Sequence, residues 1–161
     1  MNKAARERRV PLWIAPVLIA FVAASCGGPP DTGEDAHVTT MGTAEVTAEL
    51  VDLGGELIDR PMYDYAHVMK YRILKVHRGE FDGDTLYVAH YNPVKARADV
   101  ADARVPEIGG SLKSFCVGDI HRMALEAPMD DFYMGGIING FFDEWKGTIY
   151  WAVWTNRSGR P

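Results

Sequence analysis

Tyr63–Tyr91, YDYAHVMKYRILKVHRGEFDGDTLYVAHY, is the stretch from which the fold is read. Tyr63–His77 is long and rich in β-branched and aromatic residues. Thr85–Tyr91 is a second such run, and both carry the composition of strands. Between them lies Arg78–Asp84 (RGEFDGD), a hairpin connection in which Gly83 suits a positive-φ position. The alternation of the first run slips near Lys70–Ile73, which predicts a bulge or a sharp bend in a coiled strand. Asn92-Pro93 stops the second run.

Working outward, Glu45–Leu53 (EVTAELVDL) alternates Val46, Ala48 and Leu50 against Thr47, Glu49 and Val51, as a half-buried strand does, and Gly54-Gly55 ends it. Val94–Gly110 is a long polar connection, with a short helix expected over Lys95–Arg104. Ser111–Val117 leads to a Gly118-Asp119 turn and a strand at Ile120–Ala127. Pro128–Gly136 is a loop, and Ile137–Trp145 a short helix or an irregular stretch. Thr148–Thr155 (TIYWAVWT) is apolar on both faces, which predicts a central or covered strand. The expected architecture is mainly β: a small antiparallel barrel or sandwich, OB-like, with one short helix and long loops, occupying 44–156. Residues 157–161 are expected to fray. Closure is the economical way to avoid exposed sheet edges.

The run Tyr71-Arg72-Ile73-Leu74-Lys75-Val76-His77-Arg78-Gly79, its return Gly83-Asp84-Thr85-Leu86-Tyr87-Val88, and Phe115-Cys116-Val117-Gly118-Asp119 before a strand resemble secreted OB-fold-like modules of the netrin/TIMP type. The resemblance covers roughly residues 65–126 and implies a barrel. It carries no activity across, and the disulfides usual in that family are absent.

The chain starts differently. Lys3, Arg6, Arg8 and Arg9 precede Leu12–Ala24 (LWIAPVLIAFVAA), an uncharged run too short to span a membrane comfortably. Residues 1–25 therefore read as a signal peptide. Val22-Ala23-Ala24-Ser25-Cys26 resembles the lipobox of bacterial lipoproteins, with Ala23 where leucine is usual. That resemblance implies cleavage before Cys26, a diacylglycerol thioether on its sulfur, and often an acyl chain such as palmitate on the new amine. Cys26 is then the lipidation site, and 26–43 (CGGPPDTGEDAHVTTMGT) a lipidated cysteine and flexible tether. The expected location is extracytoplasmic, on the outer membrane or the outer face of the cytoplasmic membrane. The expected partner is that membrane.

Removing 1–25 takes away four basic residues and one acidic one, so the formal charge moves from −5 to −8. Such a surface speaks against nucleic acid. Only two cysteines are present. With Cys26 acylated, no internal disulfide is expected, and the apolar neighbours of Cys116 predict a buried, inert thiol.

No nucleophile elbow, zinc-protease motif, phosphate loop or Cys-x-x-Cys occurs, and no cofactor or metal is expected. The histidines carry the remaining chemistry. His90 shares the face of Leu86 and Val88, and His121 that of Met123 and Leu125. If these faces point inward, the two histidines lie on the inner side of a small barrel, near its ends. There they either bind a metal with Asp119 or Asp130 or act as general base and acid, or they hold loop carbonyls at the rim. Aromatics are abundant. Tyr91, Tyr133, Trp151 and Trp154 are candidates for gripping a sugar ring or a partner chain. The expected function is a non-catalytic accessory or binding module for an envelope protein assembly or polysaccharide. The alternative is a small extracytoplasmic hydrolase or metal-dependent transferase using His90 and His121 with Asp119.

Overall fold

A computed structural model describes residues 35–60 and 62–161; the expected signal peptide, Cys26 and the first part of the expected tether lie outside the described residues. Six strands form one sheet: β1 (Ala44–Asp52), β2 (Tyr65–Arg78), β3 (Thr85–Tyr91), β4 (Ile120–Glu126), β5 (Gly136–Ile138) and β6 (Ile149–Ser158). The pairing order is β1-β4-β6-β3-β2-β5, and β1 also pairs with β2. Five strands thus close into a barrel, β1-β2-β3-β6-β4-β1, and β5 is an extra strand on β2. Most pairs are antiparallel, but β3–β6 and β2–β5 are parallel, so the barrel is mixed. Of the barrel or sandwich expected from the strand pattern, a small OB-like barrel is what forms, and the antiparallel expectation is corrected by its parallel β3–β6 contact.

The hairpin is where the sequence places it, with Gly79 at φ +85 and Gly83 at φ +84. The slip in β2 is real but spread out. Register shifts against β1 occur at Val51, opposite Lys70–Tyr71, and again at Leu74 and His77. Extra residues in a long strand increase its coiling, which lets β2 pair with β3 and β5 at one end and wrap around β1 at the other.

Two cores result. Inside the barrel are Val46, Ala48 and Leu50 of β1, Met69 and Tyr71 of β2, Leu86 and Val88 of β3, and Met123 and Leu125 of β4. Leu112 and Phe115 close one end. Outside, Ala66, Val68, Ala89, Tyr91 and Trp151 form a second apolar layer. It is covered by Val100, Val105 and Ile108 from the β3–β4 connection and by Met129, Tyr133 and Phe141 from the β4–β6 connection. This cover is why β6 is apolar on both faces.

Several expectations are corrected. The helix expected at Lys95–Arg104 is a single 3-10 turn, Arg97–Asp99. Of the two readings of Ile137–Trp145, the irregular stretch holds, with the end of β5 at its start and turns after it. Among the described residues the one α-helix, α1 (Ala36–Thr40), lies in the expected tether, capped by the Asp35 carboxylate on the His37 amide. Residues 35–43 are fastened to the barrel. Arg78 donates to the carbonyls of Thr39, Met41 and Gly42. Asp35 accepts from Trp154 Nε1 at 2.7 Å and Asn156 Nδ2 at 2.8 Å. These bonds hold its carboxyl down at about 2, although partial burial alone would raise it. The tail expected to fray pairs as far as Ser158. Cys116 is half-buried rather than buried.

Gly110, at φ +138, lets β6 pass so closely that a Cβ there would overlap the Thr155 carbonyl. Gly110→Ala is expected to cost about 1–3 kcal/mol through strain and displacement. Urea unfolding followed by tryptophan fluorescence measures it, with Gly83→Ala, whose Cβ meets nothing within 4 Å, as the comparison.

Candidate functional site

Inward alternation puts His67, Met69 and Tyr71 of β2, Val88 and His90 of β3, and His121 and Met123 of β4 on the inner wall. The pairings His67↔His90 and Ala48↔His121 bring the three histidines to the same barrel end. All three are fully buried. Between two of them stands the Tyr71 hydroxyl, 3.0 Å from His90 Nε2 and 3.1 Å from His121 Nδ1. His90 and His121 thus both face the barrel interior and are joined through a third residue.

The hydroxyl has one proton. It donates to one imidazole and accepts an N–H from the other, so the two rings must adopt complementary tautomers. Burial, first of all, pushes His90 well below the usual imidazole range, and the Arg97 guanidinium adds to this. Burial likewise takes His121 to about 3, helped by Arg157. Burial raises the Tyr71 phenol well above its ordinary value. At neutral pH the cluster is uncharged.

A cap closes this end. Phe115 packs its ring 4.5 Å from His90 and 5.6 Å from His121. Arg97 lies behind it, its guanidinium carbon 5.2 Å from the Phe115 ring. Arg97 is itself buried. It donates to the carbonyls of Tyr91 at 2.8 Å, Asn92 at 2.7 Å and Lys95 at 2.9 Å. Among the described residues it forms no salt bridge to a carboxylate, and burial lowers it to about 10, so it remains a cation.

Asp119 does not join the histidines. It is buried beside Arg157, Nη2 to Oδ1 3.3 Å. His67 sends Nε2 to the Leu53 carbonyl at 2.7 Å, the backbone-holding role weighed for such rings. Among the described residues no group of three or more His, Cys, Asp or Glu converges as metal ligands do. The cluster can order a proton and hold three strands in register; solvent does not reach it.

The aromatic candidates are also placed differently from the expectation. Tyr91, Tyr133 and Trp151 are buried. Tyr133 stacks on Trp151 at 5.2 Å and 7°, and meets Tyr91 edge-on at 5.4 Å. The Tyr91 hydroxyl donates to Asp102 at 2.6 Å. These rings fasten the β4–β6 connection to the barrel, so they have no face to offer a sugar. Trp154 is half-buried, covered by His37 of α1 at 4.2 Å. The exposed apolar side chains lie elsewhere. Met62, Tyr63, Met134 and Ile137 surround the start of β5, with Met62 and Met134 more than nine-tenths exposed. Register places Gly136 beside Tyr65 and Ile137 beside Ala66, and Tyr63 Oη lies 3.5 Å from where a Gly136 Cβ would stand.

No local pattern marks Arg97, a lone arginine in a polar connection. Tyr71 was within reach, since it follows His67 and Met69 at period two. Comparison with known protein families, curated proteins and solved structures finds no match to this chain.

Tyr71→Phe removes the shared hydroxyl and strands one nitrogen on each ring. A loss of about 1–3 kcal/mol for each is expected, read from chemical denaturation at pH 7.5. Tyr63→Phe, on the exposed surface, should leave the midpoint unchanged.

Proposed function

We propose that this protein is a lipid-anchored binding module of the bacterial cell envelope, moored through Cys26 and docking a protein partner on the surface around β5, without catalysis of its own. The observation that carries this reading is the contrast between the two sets of chemistry-bearing residues. The histidines and the selected aromatics are turned inward as structural cement. Met62, Tyr63, Met134 and Ile137 face solvent together beside a three-residue edge strand. Clustered exposed apolar side chains mark interaction sites, and methionines adapt to irregular partners. An edge strand adds backbone groups that a polypeptide can pair with.

The anchor rests on residues 1–26: basic start, short apolar run, small residues and cysteine in order. Two acyl chains hold a protein firmly where one does not. A net negative surface would not bind anionic lipid by itself.

The hydrolase or transferase alternative needs a substrate to reach His90 and His121, and both rings lie beneath Phe115 and Arg97 with no exposure. A polysaccharide partner has one observation in its favour, a cleft of about 140 Å³ lined by Phe81, Tyr87 and Tyr150 with Asp82, Lys146 and Thr148. It is small and carries both charges, so the β5 surface is the stronger of the two.

Two measurements test the reading. Intact mass of the membrane-extracted protein should begin at a diacylated or triacylated Cys26, and Cys26→Ser should release the protein from the membrane fraction. A photo-crosslinker at Met134 should give one discrete adduct with an envelope protein in living cells. A crosslinker at Val117, exposed elsewhere, should not, and Ile137→Asp should abolish the adduct without lowering the thermal midpoint. Adducts of equal yield at both positions, or an unmodified thiol at Cys26, would end the proposal.

A further inference from the structure

The cluster at the capped end is built from groups that tolerate one charge state. His90 and His121 sit on β3 and β4, strands fixed by unbroken ladders to β2 and β1 respectively, with β4 also paired to β6 across one register shift at Ala124–Leu125. The two groups that press on them, Phe115 and Arg97, come from the irregular segment 93–118. That segment has only a 3-10 turn of regular structure. Its backbone ties to the barrel are gathered at a few points: Lys95 N to the Asn92 carbonyl at 3.0 Å, Gly109 N to the Val153 carbonyl and Thr155 N to the Gly109 carbonyl, both 2.9 Å, Ser111 N to Asn156 Oδ1 at 2.8 Å, a longer bond from Leu112 N to the Thr155 carbonyl at 3.4 Å, and Gly118 N to the Leu50 carbonyl at 2.8 Å. Irregular, sparsely bonded segments are the first to open.

We propose that Tyr71, His90 and His121 form an acid-sensitive latch, and that uptake of protons by the two imidazoles drives segment 93–118 off the end of the barrel while the strands remain paired. This inference is independent of the lipid anchor and of the β5 surface.

The hydrogen-bond arithmetic favours a threshold. When one imidazole takes a proton from solvent, it donates to the Tyr71 oxygen, and the tyrosine O–H still donates to the other, neutral ring. The network survives, with a charge inside it. When the second imidazole is protonated, both rings present N–H donors and the tyrosine proton has no acceptor among the three. One hydroxyl serves one imidazolium but not two.

The charges around the cluster add to the effect. From the segment, Arg97 already places a cation beside His90. From β6, Arg157 lies near His121, and the carboxylate of Asp119, just before β4, is engaged with that arginine at 3.3 Å. From β2 comes His67, whose imidazole burial also keeps neutral. β1 contributes Ala48 and Leu50, without charge, while Glu49 turns outward to Arg72 and Arg160. A new imidazolium therefore meets Arg97 and no unengaged carboxylate. Of its neighbours, Arg97 and Phe115 belong to the segment that contributes no strand to the sheet.

The direction with pH follows. In the closed state both histidines titrate below their ordinary range, His121 at about 3. Once solvated they titrate near 6.5. The open state thus binds more protons. The closed state is fully favoured above about pH 6.5 and loses ground as pH falls below it, by up to tenfold per pH unit for each histidine released.

Hydrogen exchange with mass spectrometry on the purified full chain, in detergent between pH 7.5 and 4.5 and corrected for the intrinsic rate, tests this. Peptides within 93–118 should lose protection by ten- to a hundredfold per unit below pH 6, while β1 and β4 keep theirs. The His90→Gln/His121→Gln protein, whose amides can bond Tyr71 but do not titrate, should keep the segment protected down to pH 4.5. If that variant folds poorly, the histidine Cε1–H signals of the unmodified chain supply the second readout and should titrate together with the loss of protection. The latch is refuted if the strands and 93–118 lose protection at one pH, if 93–118 stays protected at pH 4.5, if the double variant opens at the same pH as the unmodified chain, or if the histidine signals titrate without opening.

Discussion

A five-stranded sheet that closes on itself has no free edge and very little room inside. Every inward position of β1, β2, β3 and β4 must then be filled by an apolar side chain or by a polar one with its partners already present. Val46, Ala48, Leu50, Val88 and Met123 take the first course. Tyr71, His90 and His121 take the second, sharing one hydroxyl among two rings. Because buried polar groups are costly when unpaired, this sharing fixes where β3 and β4 stand relative to β2. The cap is shaped by the same need, since Phe115 and Arg97 seal what the strands leave open.

Closure also decides what the outside of the barrel does. The parallel contact between β3 and β6 requires long connections rather than hairpins, and the chain uses them as a second layer. Met129, Tyr133 and Phe141 from one connection and Val100, Val105 and Ile108 from the other cover the outer faces of β2, β3 and β6. The aromatic surplus in the sequence is spent here. Tyr91, Tyr133 and Trp151 hold the layers together. Among the apolar groups left exposed are Met62, Tyr63, Met134 and Ile137 around β5.

Strands with clear alternation were legible. The hairpin, the covered last strand and the inward course of His90 and His121 all follow from period two and turn chemistry. What escaped depends on contacts between residues far apart in the chain. Arg97 is buried because carbonyls of Tyr91, Asn92 and Lys95 converge on it, and no local pattern announces that. Residues 35–43 carry tether-like composition, yet Arg78, thirty-six or more positions away, binds their carbonyls. β5 is three residues long, too short for periodicity to mark. The aromatic candidates were misjudged for a related reason. A sequence shows how many rings there are, while the face each one turns to solvent is set by which connection folds over it.

The clamp on residues 35–43 has a mechanical consequence. A pull on the chain ahead of Asp35 would reach β1 only after passing that carboxylate, held by Trp154 and Asn156 of β6, and the carbonyls of Thr39, Met41 and Gly42, held by Arg78 of β2. Glu45, gripped by Arg122 on β4 at 2.6 Å and facing Arg78 at 3.6 Å, stands immediately behind. Traction is thus handed to the two longest strands and to β4 before it can peel β1 from its end. The barrel is loaded across many backbone bonds at once, the geometry in which a sheet resists force best.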